Sequence, residues 1–365
     1  MSTARALTDR SVGLAVLGAG RIGSTRARVA SCYPGSHVVA VADISVDRAV
    51  GLADQVNAHV ATDDIVKAIS LPEVDAVLVA TPEHTHAQMV LAALAAGKPV
   101  MCDTPMALNV YDAAKMLDAS ESLHVPLCFA YTQRFQRHWQ VAKENIVRGA
   151  LGRILGGTVR VYNSRAQAFQ ILKRCPAVTP IVDVLTYWID MVCWFMQDNR
   201  VAEVYARGNG EVFRNAGYEM DDLAWAILTF SDGAVVSAGI AYALPEHYPT
   251  LGQSPRLELV GTHGVLNFED EHKNHLLYSE QGALHGYVPN HSVKAAYLAS
   301  SSYGDWAQGK FWGPLADETR AFVDFVRTGA RGTIVFAEEA RRTLDITLAI
   351  EQSARTRRSV TLPLA

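Results

Sequence analysis

The sequence predicts an α/β domain with a doubly wound parallel sheet, followed by an α+β domain whose sheet is antiparallel. Three observations carry this. An apolar run of strand length, VGLAVL, leads straight into a glycine-rich turn. Apolar runs and helical segments then alternate as far as residue 131, the pattern of βαβ units and a parallel sheet. Later apolar runs follow one another across a tight turn, as in DDLAWAILTFSDGAVVSAGIAYAL, where Asp232-Gly233 suits a hairpin. At 365 residues the chain is comfortable for two domains, taken as 1–129 and 130–365.

The first domain opens with the strand at residues 12–17. In GAGRIG, Gly18, Gly20 and Gly23 form GxGxxG between that strand and the helix STRARVASCY, with Arg21 and Ile22 inside the turn. The first glycine permits the tight turn and the second lets the backbone approach a pyrophosphate. The third lets helix and strand pack closely, so that the helix N-terminus faces the phosphates. A second strand, VVAVAD, ends in Asp43, 20 residues after Gly23. A carboxylate there accepts hydrogen bonds from the adenosine ribose hydroxyls and repels a 2′-phosphate. Ile44 follows, with no arginine directly after Asp43 to receive a phosphate. The expected cofactor is NAD, ahead of NADP; the bland alternative is a structural glycine turn beside a solvated aspartate.

The alternation continues with a buried strand at VDAVLVATP (74–82), a helix ending at Gly97, a strand at PVMCD (99–103), a helix capped by Asn109, and a strand at VPLCFAY (125–131). In such sheets ligands sit beyond the carboxyl ends of the strands, which puts Thr81, Pro82, Asp103 and Thr104 on the cofactor side. His84 and His86 are spaced like metal ligands, but no second cluster accompanies them, and no metal is expected.

The composition, 49% hydrophobic and 19% charged, is that of a soluble globular protein. A net charge of −4 argues against a nucleic-acid-binding surface. The polar N-terminus does not read as a signal peptide, and no uncharged apolar run approaches the ~20 residues that span a bilayer. Five scattered cysteines without a CxxC pair read as reduced thiols. A cytoplasmic protein with neither nucleic-acid nor membrane partner is expected.

Four stretches carry a resemblance across essentially the whole chain. They are ATPEHTHAQMVLAALAAGKPVMCDTP, QRFQRHWQVAKENIVRGALGRI, RLELVGTHGVLNFED and EEARRTLDITLAIEQSARTRRSVTLPL. Together they resemble the glucose–fructose oxidoreductase and inositol dehydrogenase family (Gfo/Idh/MocA). The resemblance implies a Rossmann domain followed by a domain with an open, mostly antiparallel sheet, assembled as a dimer or tetramer. It also implies oxidation of a secondary alcohol on a sugar, cyclitol or related polyol, with hydride passing to the nicotinamide. It places His86 in the strand-to-helix turn on the cofactor side, with Arg134 of QRF as a further residue there.

The family holds the reacting hydroxyl with the lysine of Glu-Lys-Pro and a downstream Asp-x-x-x-His pair. Here Asp103 stands for the glutamate and Thr104 for the lysine. Asp183 matches the downstream aspartate, Tyr187 stands at the histidine position, and Asp190 matches a second acid three residues beyond it. On a helix Asp183 and Tyr187 share a face. A tyrosine with a solution pKa of about 10 needs a nearby positive charge to act as a base near neutrality, and Thr104 removes the usual one. Lys173, Arg174 and Arg134 are candidates to replace it.

Tyr162, Asn163 and Arg165, read as one strand, are weaker substrate-side candidates. In 285–313, Tyr287, Tyr303, Trp306 and Trp312 suit either stacking on a sugar ring or an oligomer contact. The catalytic set expected from the sequence is Asp183, Tyr187 and Thr104. Two rival readings stand beside the dehydrogenase. One is an NAD-using glycosidase, lyase or epimerase that returns its hydride; the other is a regulator that binds dinucleotide and sugar without turnover.

Overall fold

The computed structural model describes residues 11–246, 253–269, 276–284, 292–297, 304–307 and 309–364. The first part of the chain folds as β1 (Val12–Leu17), α1 (Arg21–Ser31), β2 (Ser36–Ala42), α2 (Val46–Val56), β3 (Val60–Thr62), α3 (Ile65–Ile69) and β4 (Ala76–Val79). It continues through α4 (His86–Ala95), β5 (Val100–Cys102), α5 (Val110–Leu123) and β6 (Leu127–Phe129). Every residue of β1 is buried, as a parallel strand covered on both faces requires. Side chains start the next helices: Ser45, Asp64 and Asn109 each accept the backbone N–H three residues on.

The later part runs α6 (Arg137–Val147), β7 (Ile154–Ser164), α7 (Arg165–Arg174), α8 (Thr186–Met196), β8 (Val201–Asn209), α9 (Glu211–Asn215), β9 (Leu223–Phe230) and β10 (Val235–Leu244). Then come β11 (Gln253–Gly261), β12 (Val265–Glu269), β13 (Leu276–Leu284), β14 (Ser292–Tyr297), β15 (Asp305–Ala307) and β16 (Lys310–Trp312). The chain closes with α10 (Pro314–Thr328), β17 (Val335–Phe336), α11 (Ala337–Thr356) and β18 (Val360–Thr361).

Two compact units result. The first comprises residues 1–136 and 303–341, the second 137–302 and 342–365. The stretch 303–341, assigned from sequence to the second domain, therefore groups with the first. The cause is local: β17 adds antiparallel to β6, pairing Val335 with Phe129 and Phe336 with Cys128. Phe322, Val323 and Phe336 join the same core as Val12, Leu14 and Val16.

The first sheet has the order β17-β6-β5-β4-β1-β2-β3, parallel apart from β17. The strand order reverses between β1 and β4, which opens a crevice at their carboxyl ends. The second sheet has the order β12-β11-β7-β10-β9-β8-β18 and is antiparallel except for the β7–β10 pair. Asp232-Gly233 makes the expected β9–β10 turn, with Gly233 at φ +87° and Asp232 accepting the Ala234 N–H at 2.9 Å.

Along β9, Ala224, Ala226, Leu228 and Phe230 point into a core shared with Trp139, Trp188 and Phe195. The alternate residues Trp225 and Ile227 are exposed, beside Tyr205 and Val235 of neighbouring strands. The stretch 285–313 holds strands β14, β15 and β16. Tyr287 and Tyr303, and the side chain of Trp306, lie outside the described residues, and Trp312 is exposed. Among the described residues, no helix is long and apolar enough to cross a membrane.

Candidate functional site

In the first unit the glycine turn has the shape a dinucleotide needs. Gly18 has φ +98°, and a Cβ there would lie 2.4 Å from the Ala80 carbonyl oxygen. A Cβ on Gly23 would lie 1.9 Å from the Gly18 oxygen, so helix α1 can seat on β1 only without one. Gly20 differs from both: nothing lies within 4 Å of the position its Cβ would take, and it begins α1 with no side-chain cap. The turn is thus tight where it packs and open where a pyrophosphate approaches a helix N-terminus. Arg21 is exposed at the start of α1, and Ile22 is half-buried.

Asp43 stands at the end of β2. Its carboxylate accepts the Ala19 N–H at 2.7 Å and the Ser45 N–H at 2.8 Å. It also accepts Arg48 Nη2 at 2.7 Å and Nε at 3.1 Å. Burial works against the anion, but the Ser45 and Ala19 amides and the Arg48 guanidinium outweigh it and hold the pKa below the usual range. Ile44 is almost fully exposed beside it. No arginine follows Asp43 directly, but the capped turn at Ser45 brings Arg48 back to it from the first turn of α2.

The loops after β4 and β5 are fastened together. His86 is buried, with Nδ1 2.8 Å from the Pro105 carbonyl oxygen and Nε2 2.9 Å from the Thr81 carbonyl oxygen. The Thr85 hydroxyl donates to the Pro82 carbonyl and lies within hydrogen-bond distance of the Thr81 hydroxyl, each at 2.7 Å. His86 therefore holds the two cofactor-side loops in register, whereas His84 is exposed.

Behind the Asp103-Thr104-Pro105 turn lies a buried ion cluster. Arg26 of α1 donates to Asp103 at 2.9 Å, to Glu318 at 2.9 Å and to Thr319 at 3.0 Å. Thr132 donates to the same Glu318 oxygen at 2.8 Å, while Glu318 Oε1 is buried without a hydrogen-bond partner. Burial opposes the Arg26 charge, and the two carboxylates more than restore it. One guanidinium facing two carboxylates leaves a buried negative charge, and Glu318 responds: burial raises its pKa to about 7 against the pull of Arg26 and Thr132. Arg134 is also buried, donating to Glu339 at 2.9 Å.

In the second unit, Asp183 lies in a π-helical turn (Ile181–Leu185) that runs directly into α8. Such turns cluster at functional sites. Asp183 and Tyr187 are both half-buried. The Tyr242 hydroxyl of β10 donates to Asp183 Oδ2, and Tyr242 is also hydrogen-bonded to the Asn163 side chain. Asp190 of α8 is fully buried.

Asn163 is buried at the end of β7, and Tyr162 is half-buried under the Arg160 guanidinium at 4.3 Å. Arg165 belongs to helix α7 rather than the strand and donates to the carbonyls of Ala243 and Leu244. Lys173 and Arg174 are exposed in the last turn of α7, at the opposite end of that helix from Asn163. The structure thus brings Asn163, Asp183 and Tyr187 into one neighbourhood around Tyr242. Tyr242 gave no sequence signal, because it continues the inward-facing apolar alternation of β10.

Residues 12–131 match the family model described as "Oxidoreductase family, NAD-binding Rossmann fold", and residues 139–267 match the GFO/IDH/MocA C-terminal domain. The chain belongs to the Gfo/Idh/MocA oxidoreductases. Among curated relatives of this oxidoreductase, a myo-inositol 2-dehydrogenase of Thermotoga maritima is 25% identical over 361 residues, covering 96% of this chain and 98% of the relative. An inositol 2-dehydrogenase of Acidothermus cellulolyticus is 30% identical over 317 residues, covering 85% of this chain and 89% of the relative. The fold is shared with a solved scyllo-inositol dehydrogenase of Lactobacillus casei that holds NAD(H) and scyllo-inositol. The TM-score is 0.77 at 18% identity, covering 96% of this chain and 99% of that one. The family is one of oxidoreductases with an NAD-binding Rossmann fold, and the open cradle at Gly20 with Asp43 beyond it fits a dinucleotide.

Proposed function

We propose that this oxidoreductase is an NAD-dependent dehydrogenase of a cyclitol or a closely related polyol. The supporting observation is its match along nearly its whole length to an inositol dehydrogenase, with the dinucleotide cradle intact. When bound, the nicotinamide supplies the acceptor for a hydride. Gly18, Gly20 and Gly23 admit the pyrophosphate, Arg21 and Ile22 flank it, and Asp43 receives the ribose hydroxyls. Thr81, Pro82, Asp103 and Thr104 close the nicotinamide end, with His86 and Arg134 holding that end from behind.

Asp183 takes the alcohol proton, and Tyr187, four residues on, hydrogen-bonds the same hydroxyl. Thr104 contributes a neutral hydrogen bond where relatives of the family carry a lysine. Asn163 and Arg165 shape the polyol side, and the exposed Lys173 and Arg174 guard its approach; Tyr162, read with them from the sequence, alternates to the other face of β7 and takes no part. NAD is preferred to NADP because Asp43 repels a 2′-phosphate, although Arg48 offsets part of that repulsion.

The outward face of the second sheet, with Tyr205, Trp225, Ile227, Val235 and Val260 exposed, is buried by a second copy in a homo-oligomer. The protein is expected to act in the cytoplasm on a small molecule. The test is formation of NADH from inositol isomers and sugars by wild type and by Asp183→Asn. Production by wild type with a ~100-fold or greater loss in the variant supports the reading; no NADH from any polyol, despite NAD binding, sinks it.

A further inference from the structure

The proton-accepting role given to Asp183 raises a physical difficulty. A carboxylate takes a proton from an alcohol only in its ionised form, and it needs neighbours that favour that form. The family solution, a lysine nearby, is missing at Thr104. The surroundings of Asp183 supply another.

The Tyr242 hydroxyl donates its single hydrogen to Asp183 Oδ2. That hydrogen being spent, the bond between Tyr242 and Asn163 runs the other way, with the Asn163 amide donating to the phenol oxygen. The register permits this. Strands β7 and β10 run parallel, with Tyr162 opposite Ala241, and the register shifts just beyond that pair, where Asn163 and Tyr242 stand. Both are buried, at 0% and 2% exposure. The result is a directed chain from amide to phenol to carboxylate, drawn from β7, β10 and the π-turn. Donors in series polarise one another in a low-dielectric setting.

Tyr242 is suited to donate and unsuited to act as a base. Burial, then the Asp183 charge, hold its pKa well above the usual phenol range. The other phenol nearby is Tyr187 of α8, whose charge would also oppose ionisation of Tyr242. On β7, Tyr162 and Arg160 alternate to the opposite face from Asn163 and engage each other. On α7, Arg165 is engaged by the Ala243 and Leu244 carbonyls.

We infer that Tyr242, backed by Asn163, is a positioning residue that keeps the Asp183 carboxylate aimed and available to receive the substrate proton. This rests on the reading of Asp183 as proton acceptor in the proposed dehydrogenase. In that step the alcohol O–H bond breaks and its proton bonds to Asp183. The carbinol hydrogen leaves with its electron pair as hydride to the oxidised nicotinamide, and a C=O bond forms.

Tyr242→Phe deletes one hydroxyl and keeps the ring. Ionisation of Asp183 can be followed by carboxyl ¹³C shifts in protein labelled at aspartate, assigned by comparison with Asp183→Asn. The expected result is a rise of the Asp183 midpoint by about one to two pH units, the size of a hydrogen bond to an ionised group. The acid limb of the kcat/KM profile should move by the same amount, with KM and NAD affinity little changed. Asn163→Ser should shift both in the same direction by less, and serves if the first variant folds poorly. An unmoved midpoint overturns the inference, as does a moved midpoint with an unmoved acid limb. Full turnover by Asp183→Asn instead overturns the underlying assignment of Asp183, so the two failures are distinguishable.

Discussion

Thr104 is the residue that sets this chain apart from the family pattern it resembles. A threonine can hold a hydroxyl but cannot stabilise an alkoxide with charge, and positioned acid–base groups contribute ~100- to 10,000-fold. Thr104→Lys is therefore expected to raise dehydrogenase kcat by about tenfold or more, measured as NADH formation. An unchanged or lower rate would mean that the site is built around a neutral group there. Asp43 and Arg48 allow a second test. Asp43→Ser, with Arg48 kept, should improve NADPH affinity about tenfold, an energy of ~1.4 kcal/mol, read by quenching of protein fluorescence. Of these residues Asp43 and Thr104 were legible in the sequence, because each ends a recognisable strand. Arg48 was not, since its return to Asp43 depends on the Ser45 cap that turns α2 back. Tyr242 was hidden for a different reason: nothing in an alternating strand distinguishes a filling phenol from one bonded to a carboxylate across the unit.

At the scale of elements, the glycine turn and the strands around it were readable because each glycine has a steric cause, seen at Gly18 and Gly23. The helix caps at Asn109 and the turn at Asp232-Gly233 were readable for the same local reason. What local pattern could not show is the return of α10 to α1, where Glu318 meets Arg26 some 292 residues away in sequence. This cluster braces the Asp103 turn and makes it proton-sensitive. Because burial raises the folded-state pKa of Glu318 from 4.5 to about 7, the folded protein binds the extra proton. Stability from this group is full below about pH 4.5 and is lost as pH rises through about 7. Glu318→Gln should therefore flatten the fall in apparent melting temperature between those two values. A variant that keeps the wild-type slope would remove Glu318 as its source.

At the scale of the whole molecule, the two sheets were legible as parallel and antiparallel from the spacing of their apolar runs. The grouping of 303–341 with the first unit was not, because it rests on the pairing of β17 with β6. The antiparallel sheet has one face packed and one carrying Trp225 and Ile227 in the open. Contiguous exposed apolar surface of this kind marks an interaction site. If that face carries the proposed homo-oligomer contact, Trp225→Glu combined with Ile227→Glu should give a monomer by light scattering where wild type is larger, and a monomeric wild type would refute that assignment. The claim on which everything else depends is that this oxidoreductase moves hydride from a polyol to NAD while Asp183 takes the proton. Its most direct test is the rate of NADH appearance with inositol isomers for wild type against Asp183→Asn. Turnover of at least one isomer is expected, with a loss of ~100-fold or more in the variant; equal rates in the two proteins, or NAD binding with no NADH from any isomer, would refute the assignment.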